Sequence, residues 1–305
     1  MSETRIPVEY LFTLTVRNIA STEFDFDGPF GPRMFAKAHG GEANGPRLDG
    51  KVLEHLATDY GRASTDRKIR APEGEVVIQA DDGTIILAQY RGRMSPVYGN
   101  GKSRLQFLFK TGEGPHYWLH NAQAIGFGEE KNGDLIIEIY AISGEDVFEG
   151  PASTGTGVDR TSVTADFIMR RKSVYTGAAE ERHVISSPLG SRFLTVAEGG
   201  GAFTGPRVRG EFLSGYSWSP HYIHVRDQDY LLHYDVKTLL RAEDGTPILM
   251  SYTGVTSSYY PNASWRTATL FETPAGPHAW LNEVLAIGVG TYLGDGALYM
   301  VYALR

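Results

Sequence analysis

Apolar and polar residues alternate with a period of two in segment after segment of this chain. Phe12, Leu14 and Val16 interleave with Thr13, Thr15 and Arg17, and Ile137, Ile139 and Ala141 interleave with Ile136, Glu138 and Tyr140. That period belongs to strands whose two faces meet different surroundings. The segments are short, rich in β-branched and aromatic residues, and punctuated by Asp82-Gly83, Asn132-Gly133, Asp244-Gly245 and Gly294-Asp295-Gly296. Such dipeptides supply the positive φ angles that tight hairpins require. No long, well-capped amphipathic helix interrupts the pattern. The expected fold class is all-β. With 36 glycines and roughly eight to ten strands per domain, a closed antiparallel barrel, which has no edges, is expected ahead of a sandwich.

The pattern also repeats. Residues 82–142 align without a gap on 244–304, with 25 of 61 positions identical. Gly114-Pro115-His116-x-Trp118-Leu119 returns as Gly276-Pro277-His278-x-Trp280-Leu281, and Gly45-Pro46-Arg47 returns as Gly205-Pro206-Arg207. The period is too long and the copies too few for a solenoid, so two whole domains stand in tandem. The Gly-, Ser-, Thr- and acid-rich stretch 143–157 has linker composition. The expected domains are 1–150 and 151–305, an intramolecular pseudo-dimer whose second half opens with a strand around Thr164–Met169.

Charge and composition narrow the functional classes. A net charge of −7 over 305 residues leaves no basic footprint for nucleic acid or an anionic membrane. The absence of cysteine excludes disulfides, thiolate metal sites and a cysteine nucleophile. The start, Met1 to Pro7, carries no apolar signal segment and no apolar run approaches a membrane span, so a cytoplasmic location is expected.

The ordered motifs resemble a bacterial and fungal family known as domain of unknown function 3237. The first copy carries Arg33, Gly40-Gly41-x-x-x-Gly45-Pro46-Arg47-x-x-Gly50, Asp59-Tyr60, Asp82-Gly83 and Trp118-Leu119-His120. The second carries Arg192, Gly200-Gly201-x-x-x-Gly205-Pro206-Arg207-x-x-Gly210, Ser217-Trp218, Asp244-Gly245 and Trp280-Leu281-Asn282. The resemblance covers nearly all of both copies and implies two calycin-like antiparallel barrels. It departs at Ser217, where the first copy keeps Asp59, at Tyr60, where the second keeps Trp218, and at His120, where the second keeps Asn282.

Candidate chemistry gathers at several places. His116, Trp118 and His120 would share one face of a strand, as would His278, Trp280 and Asn282, forming a polar-aromatic patch or a structural Trp plug. On a strand the two His of the first copy stand about 13 Å apart, too far to share a metal. Tyr90 and Tyr252, and Tyr140 and Tyr302, recur in both copies and suit donation to a phenolate or enolate oxygen, or barrel packing. Tyr98 and Tyr260, with Arg104 and Arg266, flank a loop at a barrel mouth. Glu138 becomes Met300 and Arg91 becomes Thr253. If the Glu138 face is the lumen, the first barrel joins Glu138, Tyr140, His116 and His120, with Asp59 near the mouth; if not, Glu138 is a surface charge. Tyr216, Trp218, His221, Tyr222, His224, Tyr230, His233 and Tyr234 crowd within nineteen residues of the second copy, fitting an aromatic ligand or an interface. Arg47 and Arg207 either clamp a carboxylate or pair with an acid beneath their turn. Gly-rich stretches lack the βαβ context of a nucleotide loop.

These residues point to a cofactor-independent lyase or isomerase in aromatic-compound catabolism, acting on an apolar aromatic or phenolic molecule by proton transfer in a barrel lumen. His116, His120, Glu138, Tyr140 and Asp59 form the first candidate set, and Tyr252, His278 and Tyr302 the second. Tyr90, Tyr98, Trp118, Arg47, Arg207, Trp218, Tyr260 and Trp280 are candidate substrate contacts. No cofactor or metal is expected, and the partner is a small apolar molecule, with a homo-oligomer open. The alternative is a carrier that binds such a ligand without turnover.

Overall fold

The computed structural model describes residues 3–19, 24–29, 31–143, 147–151, 155–174, 181–188, 190–196, 200–226, 229–257, 265–293 and 296–305. Tyr260, with its loop, lies outside them. The chain divides into two compact units, Met1–Thr164 with Arg305, and Ala165–Leu304. Among the described residues no helix is long and apolar enough to cross a membrane.

The first unit is a closed antiparallel barrel. Strand Glu3–Val16 pairs with Gly41–Asn44, which pairs with Gly50–Asp59. The ladder continues through Glu73–Ala80, Ile85–Met94 and Lys102–Thr111. It then passes through Ala124–Lys131 and Asp134–Ile142 and returns to Glu3–Val16. Closure pairs every strand of the ring on both sides. A short hairpin, Phe24–Phe26 with Arg33–Lys37, lies outside the ring and joins it at Lys37 and Thr58.

The second unit repeats the circuit. Strand Ser162–Val174 pairs with Gly201–Thr204, then Arg209–Arg226, Asp229–Ala242, Pro247–Ser257, Trp265–Glu272, Ala286–Tyr292 and Gly296–Leu304, which closes on Ser162–Val174. Both copies carry an irregularity at the same place in the first strand, between Tyr10 and Phe12 and between Phe167 and Met169. Both also bend the third strand of the ring, between Val52 and Ala57 and between Phe212 and Ser217. Such bulges give a small barrel its corners.

Alternation sets the lumen. Leu14, Ile78, Ile86, Ala88, Leu105, Phe107, Phe109, Ile137 and Ile139 turn inward and form one buried cluster. Phe107 stacks on Phe109, which packs against Phe12. Each large side chain of this set, fully withdrawn from water, contributes about 1.5–3 kcal/mol through its burial.

The division falls after Thr164, later than the boundary near residue 150 that composition suggests, because the intervening segment belongs to the first barrel. Strand Phe148–Gly150 pairs with Glu3–Arg5. The Val8 N–H donates to Thr161 O, and the buried Arg5 guanidinium donates to Ser162 and Thr164 side chains.

Candidate functional site

The expected strand of His116, Trp118 and His120 is instead a 3-10 turn, Tyr117–Asn121, and its counterpart is Ala279–Glu283. Gly114-Pro115 and Gly276-Pro277 end the preceding strands, and a one-face alternation does not apply. The turn is a structural corner built alike in both copies. His116 Nε2 lies 3.4 Å from Asp82, and His278 Nε2 lies 3.2 Å from Asp244, each clamping an Asp-Gly hairpin. The His120 ring bonds Thr111 O at 2.9 Å; the Asn282 amide donates to Thr273 O at the same distance. Arg47 lies over Trp118 at 4.2 Å and Arg207 over Trp280 at 3.8 Å, while each Trp packs on its barrel's core. Arg47 also pairs with Glu9.

Glu138 and Tyr140 lie on the outside of the barrel, because their neighbours Ile137 and Ile139 fill the lumen. They bond each other at 2.8 Å beneath Arg160, whose guanidinium sits 3.7 Å from Glu138 and over the Tyr140 ring. Burial pushes the Tyr140 hydroxyl well above its ordinary range. Tyr302 faces outward likewise, against Phe167. Tyr98 is buried on that outer side under Arg104. Trp218 is half-exposed on the second unit.

The first barrel's lumen does hold one polar group of unusual state. Asp59 ends the bent third strand, with Gly74 opposite it and Tyr90 opposite Gly74 on the far side. Lacking a side chain, Gly74 leaves room for the Tyr90 ring; a Cβ there would fall 2.7 Å from the Tyr90 hydroxyl oxygen. Tyr90 Oη donates to Asp59 Oδ2 at 2.8 Å, and the Gly61 N–H donates to Oδ1 at 3.0 Å. Burial raises the Asp59 carboxyl from 3.8 to about 6, against the opposing pull of those two bonds and of Arg70. Burial also lifts the Tyr90 hydroxyl well above its ordinary value, so it remains a donor.

Asp59 opens onto a cleft lined by Ile19, Met34, Phe35, Pro72, Met94, Ser103, Leu105 and Leu135. At the cleft, Arg70 pairs with Glu130 at 2.9 Å. The cleft volume is about 40 Å³, on a measure in which one water needs ~10–15 Å³. It is therefore a narrow, mostly apolar slot with a titratable floor.

The second barrel has lost this arrangement position by position. Ser217 pairs with Thr238 and His221 with Tyr234, which puts Ser219 opposite Val236 as Asp59 stands opposite Gly74. Asp59 therefore corresponds to Ser219, two residues beyond the Ser217 that motif alignment suggests. Val236 replaces Gly74, and Tyr252 turns instead to the fully buried Arg171, whose guanidinium donates to its oxygen at 3.3 Å. Trp265 stands where the first barrel has Ser103 and Tyr299 where it has Ile137, and the two rings pack at 5.5 Å. His221 and Tyr234 take the places of Gly61 and Pro72 and meet edge to face. Burial lowers His221 to about 4, so it is neutral.

The family model described as "Protein of unknown function (DUF3237)" matches residues 6–142 and again 171–304. The chain belongs to this family, twice over. Among curated proteins none matches it. A β-barrel-like protein from Acinetobacter baumannii is 22% identical over 47% of this chain and 96% of its own, with a TM-score of 0.40. A protein of unknown function from Rhodopseudomonas palustris is 21% identical over 48% and 99%, with a TM-score of 0.39. An enzyme from Penicillium herquei is 16% identical over 47% and 95%, with a TM-score of 0.35.

In this tandem DUF3237 chain, two sequence candidates meet at one site, Asp59 and Tyr90. Ser103, Arg70, Glu130, Met34 and Met94 were not foreseen. One signal was available in the aligned copies, where Trp265 stands in place of Ser103 and Tyr292 in place of Glu130, an exchange of small or polar residues for aromatic ones. Among the described residues no three His, Asp or Glu side chains converge as a metal site.

Proposed function

We propose that the protein is a cofactor-independent lyase or isomerase for a small apolar aromatic or phenolic molecule, working by acid–base chemistry in the first barrel. The observation that carries this reading is the Asp59–Tyr90 pair in an apolar cleft, with Asp59 raised to about 6. A carboxyl that changes charge near neutral pH can both take and return a proton, which is the requirement for a shuttle.

At pH 7 Asp59 is mostly ionised and accepts the proton of an acidic C–H or phenolic O–H. The electron pair moves onto the substrate's oxygen. Asp59, now the acid, returns the proton at another carbon to complete an isomerisation. In a lyase the pair moves back instead to re-form the C=O bond, the bond to a β-oxygen substituent breaks with its electrons on that oxygen, and the oxygen takes the proton from Asp59 and leaves as a neutral alcohol or phenol. Tyr90 holds the Asp59 geometry through both halves by donating to the carboxylate. His116 and His278 enter this reading only as hairpin clamps, and Glu138 and Tyr140 do not enter it.

The test is mass spectrometry of the purified protein with a panel of phenolic and other small aromatic metabolites, run beside Asp59→Asn. Product formed by the natural protein and lost about 10²-fold or more in Asp59→Asn supports the reading. A ligand retained unchanged would favour the carrier, and equal turnover by Asp59→Asn would overturn the assignment of Asp59.

A further inference from the structure

Ser103 is a further polar group of the cleft, and its state is unlike that of Asp59. The residue is about 1% exposed, and its Oγ is buried without any hydrogen-bond partner. A buried hydroxyl left unpaired is costly, and native structures rarely keep one without a use. The site is shaped to hold it. A Cβ on Gly128 would fall 2.3 Å from this oxygen, so only glycine opposite Ser103 leaves the hydroxyl its room. Ser103 lines the same cleft as Asp59, between the apolar walls of Met94, Leu105 and Leu135. The same position in the second barrel is Trp265, partly buried against that core. The position thus switches between an open slot with one hydroxyl and a filled lumen.

We infer that Ser103 anchors the ligand of the first barrel by hydrogen bonding to a neutral oxygen, and that the ligand is a single-ring molecule bearing a phenol or carbonyl oxygen. This rests on the reading of the cleft as the substrate site. Three features set the class. The slot's volume of about 40 Å³ is a fraction of the ~150 Å³ of a cavity that holds a whole benzene ring, so it takes the oxygen-bearing edge of one ring and excludes a fused system. Its walls are apolar, so the ring body is too. Both cations at the cleft are engaged, Arg70 by Glu130 and by the Met94 sulfur at 3.2 Å and Arg62 by a partner of its own, which favours a neutral oxygen over a carboxylate.

Binding of fluorinated probes, read by fluorine NMR, tests this without any turnover. The probes are 4-fluorophenol, 4-fluorotoluene, which lacks the oxygen, and 4-fluorobenzoate, which carries a charge. The natural protein should prefer the phenol over the toluene by about five- to tenfold, the worth of one buried hydrogen bond. Ser103→Ala should abolish that preference while leaving 4-fluorotoluene affinity intact, and Ser103→Thr, which keeps a hydroxyl, should retain it. The probes report binding alone, so failure of Ser103 to anchor and failure of Asp59 to turn substrate over are read separately, and His116→Ala, a hairpin clamp outside the cleft lining, should leave the preference unchanged. A preference that survives Ser103→Ala means that this hydroxyl serves only an ordered water, and overturns the inference. Tighter binding of 4-fluorobenzoate, lost in Arg70→Gln, or no binding of any probe, would overturn it too.

Discussion

Replacing Asp59 by Asn should make the folded protein more stable at neutral pH while removing its activity. The carboxyl stands at about 6 in the fold against an ordinary 3.8. For an acid raised by folding, the folded state holds its proton over a pH range in which the unfolded state has lost it. Stability is therefore full below about pH 3.8 and falls as pH rises towards 6, after which the loss is complete. At ~1.4 kcal/mol per tenfold, the rise amounts to about 3 kcal/mol forgone at pH 7. Asn has the same shape. Its amide oxygen can keep the Gly61 N–H, and its NH₂ can donate to the Tyr90 oxygen once that hydroxyl turns away. Allowing ~1 kcal/mol at every pH for the rearranged hydrogen bond, Asp59→Asn should gain about 2 kcal/mol at pH 7 and lose about 1 kcal/mol at pH 3.5. Urea unfolding of both proteins at half-unit steps from pH 3.5 to 8 measures the difference. A difference that stays flat across pH 4–6.5 would refute the reasoning, since it would mean that Asp59 titrates alike in folded and unfolded chains.

Three other substitutions probe the same geometry. Tyr90→Phe removes a bond that favours the carboxylate, so the Asp59 titration, followed by carboxyl-carbon NMR, should move further above 6 while the fold persists. Gly74→Ala brings a Cβ within 2.7 Å of the Tyr90 oxygen and 2.2 Å of Thr58 O, and should cost about 1–3 kcal/mol in urea unfolding as well as the Asp59–Tyr90 bond. His116→Ala and His278→Ala should each leave turnover within about twofold, because general acid–base participation would show as a loss of ~10²-fold or more; the rate on any substrate found above checks this.

Much of the fold was legible because it depends on local signals. Alternation named the strands, Asp-Gly pairs named the hairpins, and the repeat named the second barrel. The side of the sheet was harder. Period-two alternation separates the two faces but does not say which is inside, and here both are buried: Ile137 fills the lumen while Tyr140, fully buried too, lies under Arg160. The outer cover comes from Arg160, just past the stretch 143–157 of linker composition. The His116 turn carries the alternation of a strand, although Pro115 at its start interrupts a ladder and the segment folds as a 3-10 turn. The shared site was least visible, since Asp59 and Tyr90 are joined only through barrel closure and a register irregularity. That irregularity also shifts the true counterpart of Asp59 to Ser219, which counting along motifs does not reveal.

The central claim is that Asp59 moves the proton. The most direct measurement is the pH dependence of kcat/KM for the first substrate that the mass-spectrometric panel yields, in the natural protein and in Tyr90→Phe. The account predicts activity rising with pH through an inflection near 6, displaced to higher pH in Tyr90→Phe, with no measurable activity in Asp59→Asn at any pH. An inflection that stays in place when Tyr90 is changed, or activity that persists without Asp59, would contradict it.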